Sequence, residues 1–151
     1  MTKSLKMASV YKIMTLNVGN SAALGGLISV LNIEKPDIVM LQEVTISSEQ
    51  LSLTVARLGH SAETNIDINN VTALGTGFLW RSVLPVSEVH SVVDCRSQLL
   101  QLGKYSFLNI YAPSGSQNKQ SRRLFFGQDI FRTVRGFGHA TPIIGGDFNC
   151  I

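Results

Sequence analysis

Apolar and polar positions change period several times along the chain, and each change predicts an element. Val10 to Asn17 ("VYKIMTLN") reads as a strand. Ala22 to Ile33 reads as a helix with Leu24, Leu27, Ile28 and Leu31 on one face, stopped by "KPD" because the residue before proline disfavours the α region. Ile38 to Gln42 is a continuous apolar strand of the kind buried on both faces. Ser48 to Leu58 is a second helix, with Ser47 or Ser48 as its cap and Gly59 beyond its end. From Leu74 to Tyr111 the runs "GTGFLW", "VSEVHSVV", "SQLLQL" and "YSFLNIY" are short strands, and "LGKY" is a tight hairpin turn. Ser121 to Val134 is a third helix with Leu124, Ile130, Phe131 and Val134 as its buried stripe, and Pro142 to Gly146 a last strand. Helices around many strands, some antiparallel, predict a layered α/β sandwich and argue against a purely parallel sheet.

A chain of 151 residues, 44% hydrophobic and 15% charged, fits one domain with a sizeable core. No run is long and apolar enough to span a bilayer, and "MTKSLKMASVYKIM" lacks the apolar segment of a signal peptide. A soluble intracellular protein, cytoplasmic or nuclear and without a membrane partner, is therefore expected. The net charge of +3 is compatible with a polyanionic partner. Five basic residues against one acid gather in "NKQSRRLFFGQDIFRTVRG". Cys95 and Cys150 belong to no metal-binding spacing and are expected to be free thiols; His60, His90 and His139 read as ordinary surface or turn residues.

Apolar strands repeatedly deliver oxygen-bearing groups at their C-terminal ends: "YKIMTLN" ends in Asn17, "DIVMLQE" in Glu43, "YSFLNIY" in Tyr111, and "PIIGGDFN" in Asp147 and Asn149. One such residue is ordinary turn chemistry. Together, two carboxylates and two amides form an all-oxygen set suited to a hard cation such as Mg2+ and not to zinc. No nucleophilic serine motif, P-loop or dinucleotide glycine motif accompanies them, so no nucleotide cofactor is expected.

The motifs "TLNVGN", "DIVMLQEV", "LNIYAPSG" and "IIGGDFN", in that order, resemble the endonuclease/exonuclease/phosphatase family from about Tyr11 onward. The resemblance implies a four-layered α/β/β/α sandwich and Mg2+-dependent phosphodiester hydrolysis, with Mn2+ as a possible substitute. It makes Asn17 and Glu43 metal-binding residues. Tyr111 becomes the phosphate contact, Asp147 the group that activates water, and Asn149 a positioning amide. Where many DNA-cleaving relatives have asparagine after "YAP", this chain has Ser114, a donor of shorter reach. The family also continues past "GDFN" to an "S-D-H" motif. Residues 10–151 are therefore expected to form the N-terminal part of one such domain, incomplete at its C-terminus and impaired in catalysis, with residues 1–9 as an extension.

The segments "GTGFLWRSVLPVSEV" and "SQLLQLGKYSFLNIYAPSG" resemble LINE-type retrotransposon endonucleases. DNA is the partner this implies, with Lys119, Arg122 and Arg123 near its phosphate backbone; Trp80 reads as a packed strand residue. Two alternatives stand beside the endonuclease: an inositol-phosphate or lipid phosphodiesterase sharing the metal site, and a non-catalytic DNA- or protein-binding remnant.

Overall fold

A computed structural model describes residues 10–19, 23–70, 72–137 and 142–150. The apolar run at Ile38 builds β2 (Ile38–Val44), whose first five residues are all buried. Beside it lie β1 (Ile13–Asn17), paired parallel, and β4 (Gly75–Arg81), paired antiparallel; β3 (His60–Asn65) completes a sheet of order β1-β2-β4-β3. The second sheet has order β5-β6-β7-β8: β5 (Val86–Val93), β6 (Ser97–Leu102) and β7 (Tyr105–Tyr111) form an antiparallel meander, and β8 (Ile143–Asp147) pairs parallel with β7. The "LGKY" turn is the β6–β7 hairpin, with Gly103 at φ 55°.

Helices α1 (Ala23–Glu34) and α2 (Ser48–Val55) cover the first sheet; Leu27, Leu31, Leu51 and Val55 bury against Val39, Leu41 and Leu79. Ser47 caps α2 in a reciprocal capping box with Gln50, and Gly59 at φ 73° ends the following turn. The second sheet is covered by a helical stretch in three segments: α3 (Lys119–Leu124), a wider π-helical segment Phe125–Ile130, and α4 (Phe131–Gly136). Phe125 and Ile130 pack there on Leu99, Leu108 and Ile110. Between the sheets lie Ile38, Met40, Phe78, Leu100, Leu102 and Phe107. The order of layers is α/β/β/α, as the motifs implied.

The filling between the sheets changes character along the strands. At the start of β2 it is apolar. Two residues before the strand ends it becomes an amide network: Gln42 Nε2 donates to Asn109 Oδ1 at 2.8 Å, and Asn109 Nδ2 donates to the carbonyls of Leu41 and Gly77, each at 2.9 Å. Asn109 comes from β7 and its partners from the other sheet. Each polar group in this network is satisfied by one across the interface, which is what makes its burial tolerable.

Several expectations are corrected. The first strand starts at Ile13, not Val10, because only from Ile13 does β1 pair with β2. The first helix continues to Glu34; the predicted start at Ala22 lies outside the described residues, as do the extension 1–9, His139 and Ile151. The third helix starts earlier, at Lys119, and its stripe is half as expected: Ile130 is buried and Val134 packs beside it, but Leu124 and Phe131 are exposed and Phe125 is buried instead. The wider π segment breaks the 3.6-residue period, so a stripe counted at constant period misplaces Leu124 and Phe131. The last strand is Ile143–Asp147. His60 is buried, its ring nitrogens 3.0 and 3.1 Å from the carbonyls of Leu58 and Pro36, so it is not a surface residue. His90 is exposed beside Glu88.

Candidate active site

β1 and β2 run parallel, as do β7 and β8, and the strand ends that the sequence singled out meet at one end of the two sheets. Asn17 is level with Gln42, and Tyr111 with Asp147. Alternation along β1 sends Thr15 and Asn17 toward the sheet interface and Met14 and Leu16 toward α1 and α2, so the amide of Asn17 faces the second sheet. Its Nδ2 lies 3.4 Å from Asp147 Oδ2, a long contact that links the sheets, and its Oδ1 accepts from the Gly19 N–H at 3.0 Å.

Glu43 occupies a bulge. The β2–β4 register slips between Gln42 and Val44, and Glu43 takes φ 59°, a left-handed conformation rare for a residue with a side chain. A bulge re-aims the residue it carries, and here it lets Glu43 leave the strict alternation of β2. Gly146 performs the matching task in β8. Its φ of 136° is open to glycine, and a Cβ at that position would strike the Ile110 backbone, so "GGD" is what brings Asp147 close beside β7.

Asp147 is held by its neighbours: Oδ1 accepts the Asn149 N–H at 3.0 Å, an Asx turn that places Asn149 at φ 46°. Asn149 Nδ2 donates to the Ala112 carbonyl at 2.8 Å, and Ala112 N–H to the Asp147 carbonyl at 2.9 Å, tying the two loops together. Burial and the nearby Glu43 carboxylate push the Tyr111 phenol above its ordinary range, with Asp147 acting in the same direction and Arg96 against it. Neither Glu43 nor Asp147 has an ion-pair partner among the described residues.

Those residues contain no cluster of three or more Asp, Glu, His or Cys side chains, so a closed protein cage for a metal is absent among them. Two unpaired carboxylates beside amide oxygens fit instead a Mg2+-like ion that keeps much of its water and takes few protein ligands. Glu43, with the second lone pair of Asn17 Oδ1, would hold it.

The substrate candidates divide. Arg122 Nη1 donates to the carbonyls of Pro113 and Gly115, so it braces the Tyr111 loop. Ser114 is exposed and its carbonyl accepts from Asn118. Lys119 and Arg123 are exposed and line a groove with Phe126 and Cys150, where Phe126 stacks on Phe148 of the "GDFN" segment. Trp80 packs between the sheets. Sequence reasoning missed Arg96, whose guanidinium lies 4.8 Å over the Tyr111 ring.

The architecture is the endonuclease/exonuclease/phosphatase fold. A humanized TDP2 of D. rerio is 19% identical, over 93% of this chain and 63% of its own, with TM-score 0.72. The 3' phosphatase NExo from Neisseria, bound to product DNA hairpin, is 17% identical over 93% and 58%, with TM-score 0.74. An AP endonuclease from Archaeoglobus fulgidus is 16% identical over the same shares, also at TM-score 0.74. The chain thus spans 58–63% of the length of these three proteins. No family model and no curated protein matches it by sequence. Among the described residues no helix is long and apolar enough to cross a membrane.

Proposed function

We propose that this chain carries the site of a divalent-metal-dependent phosphodiester hydrolase acting on DNA, an endonuclease of apurinic or LINE-type retrotransposon kind. The carrying observation is the meeting of Asn17, Glu43, Tyr111 and Asp147 from four strands of two sheets, with both carboxylates unpaired. Asp147 is oriented by the Asn149 N–H and approached by the Asn17 amide, which leaves carboxylate lone pairs to accept the proton of an attacking water. With its phenol pushed up, Tyr111 stays an O–H donor through neutral pH, as a contact to a phosphate oxygen requires. A bound divalent cation would supply neutralisation of phosphate charge. DNA is favoured as substrate by Lys119 and Arg123 beside the end of β8, with exposed Phe148 next to them, and by the DNA-bound state of one fold neighbour.

The test is Mn2+ titration followed by NMR line broadening, alongside nicking of supercoiled plasmid. Broadening centred on residues 17, 43 and 147, weakened in Glu43→Gln, is the expected result. Mg2+-dependent nicking that disappears in Asp147→Ala establishes turnover by these residues. Broadening elsewhere, or none at millimolar Mn2+, overturns the reading.

A further inference from the structure

We propose that Arg96 is a phosphate-holding side chain of this site, set in place by Asn65. The proposal rests on the hydrolase reading above. In the sequence Arg96 sits in "VVDCRSQ", the Asp-Cys-Arg break between β5 and β6. In the fold that break lies at the active end, because Ser97 pairs with Ile110, next to Tyr111.

The turn is clamped. Asn65, buried at the end of β3, donates through Nδ2 to the carbonyls of Val93 at 2.9 Å and Ser97 at 3.1 Å, and its Oδ1 accepts the Cys95 N–H at 3.1 Å. One amide therefore makes three bonds to one turn, and Cys95 is held at φ 56°. Arg96 follows directly. Its N–H donates to Val93, and its carbonyl accepts the Tyr111 N–H at 2.7 Å.

The side chain so positioned donates toward the Tyr111 hydroxyl, yet part of its guanidinium has no acceptor. Nη1 of Arg96 is buried without a hydrogen-bond partner, and Arg96 makes no ion pair among the described residues. A guanidinium stays charged, and an unpaired buried N–H is costly enough to need an explanation. The cation lies over Tyr111, the residue whose phenol also feels Glu43 and Asp147. An anion entering between Tyr111 and Asp147 would give Nη1 its acceptor. A phosphate oxygen fits, because a planar fork of N–H donors matches phosphate geometry.

The test reads binding and not turnover. Anisotropy of a fluorescein-labelled DNA duplex is followed in EDTA over a salt series, with folding of each variant checked by circular dichroism. Arg96→Met is expected to weaken binding about tenfold and to reduce the salt slope by about 1. Arg96→Lys, which keeps the charge without the fork, should recover part of the loss. Arg57→Met, at the opposite end of the sheet, should change neither. Asn65→Ala should weaken binding in the parent and have no further effect in Arg96→Met; equal losses in both backgrounds would make Asn65 merely structural and overturn the positioning claim. Should Asn65→Ala not fold, the Arg96 variants decide. Arg96→Met binding like the parent at every salt concentration overturns the proposal and leaves the hydrolase reading standing. A folded parent chain that binds no duplex overturns both.

Discussion

Replacing Glu43 with glycine should make the protein more stable while removing the carboxylate proposed above to hold the metal. The backbone at Glu43 sits at φ 59° in the β2 bulge. A left-handed conformation costs a residue with a Cβ roughly 1–2 kcal/mol. Glycine escapes that strain but is freer in the unfolded chain, which returns about 0.5–1 kcal/mol. The net gain is then about 0.5–1 kcal/mol, or roughly 1–4 °C in Tm for a chain of this size. Glu43→Ala is the control, because it deletes the carboxylate and keeps the Cβ, so it should show no such gain. Urea midpoints and calorimetric Tm values for the parent and both variants, in EDTA, measure the difference, and Mn2+ broadening reports metal binding. If glycine is no more stable than alanine, the bulge is not strained and its geometry needs another explanation. If glycine is more stable and both variants lose Mn2+, the strain is kept in the fold for the sake of the carboxylate it aims.

Asn109→Leu keeps a similar volume but leaves the carbonyls of Leu41 and Gly77 without that donor; at about 1–3 kcal/mol for each group left unsatisfied, a loss of roughly 3–5 kcal/mol in urea unfolding is expected, and a loss below about 1 kcal/mol refutes the role of the network. For Tyr111, the raised phenol pKa means the folded state holds its proton longer than the unfolded chain. The associated stability is complete below the ordinary phenol value of about 10 and is lost as pH rises through the folded value. Urea midpoints should therefore fall more steeply for the parent than for Tyr111→Phe above about pH 10, and parallel curves would show that the phenol is not perturbed.

Elements with a single strong signal were legible in the sequence. β2 announced itself as an apolar run too short for a helix, and α2 by Ser47 before it and Gly59 after it. The strand-end residues were legible because four motifs recur in one order. β3 was not, since "HSAETN" buries His60, Ala62 and Asn65, which carry no apolar alternation. The stripe on the third helix failed at one physical point, the π segment, which moves Phe125 inward and Leu124 out. Arg96 and Asn65 were missed for a deeper reason. Their meaning lies in a contact between Asn65 and Cys95, 30 positions apart in the chain, through a turn that looks like any other until β6 is laid beside β7.

The two halves of the sheet interface differ in how they hold. Phe78 and Phe107 adhere without preferred direction, so that end acts as glue and tolerates a small slide of one sheet over the other. The Asn109 amide is directional and acts as a dowel, fixing the sheets in register at one point. That point lies beside the end where Asn17 and Glu43 arrive from one sheet and Tyr111 and Asp147 from the other. Damage to the glue should lower stability and leave the site aligned in whatever fraction stays folded. Damage to the dowel should misalign the site in molecules that are still folded.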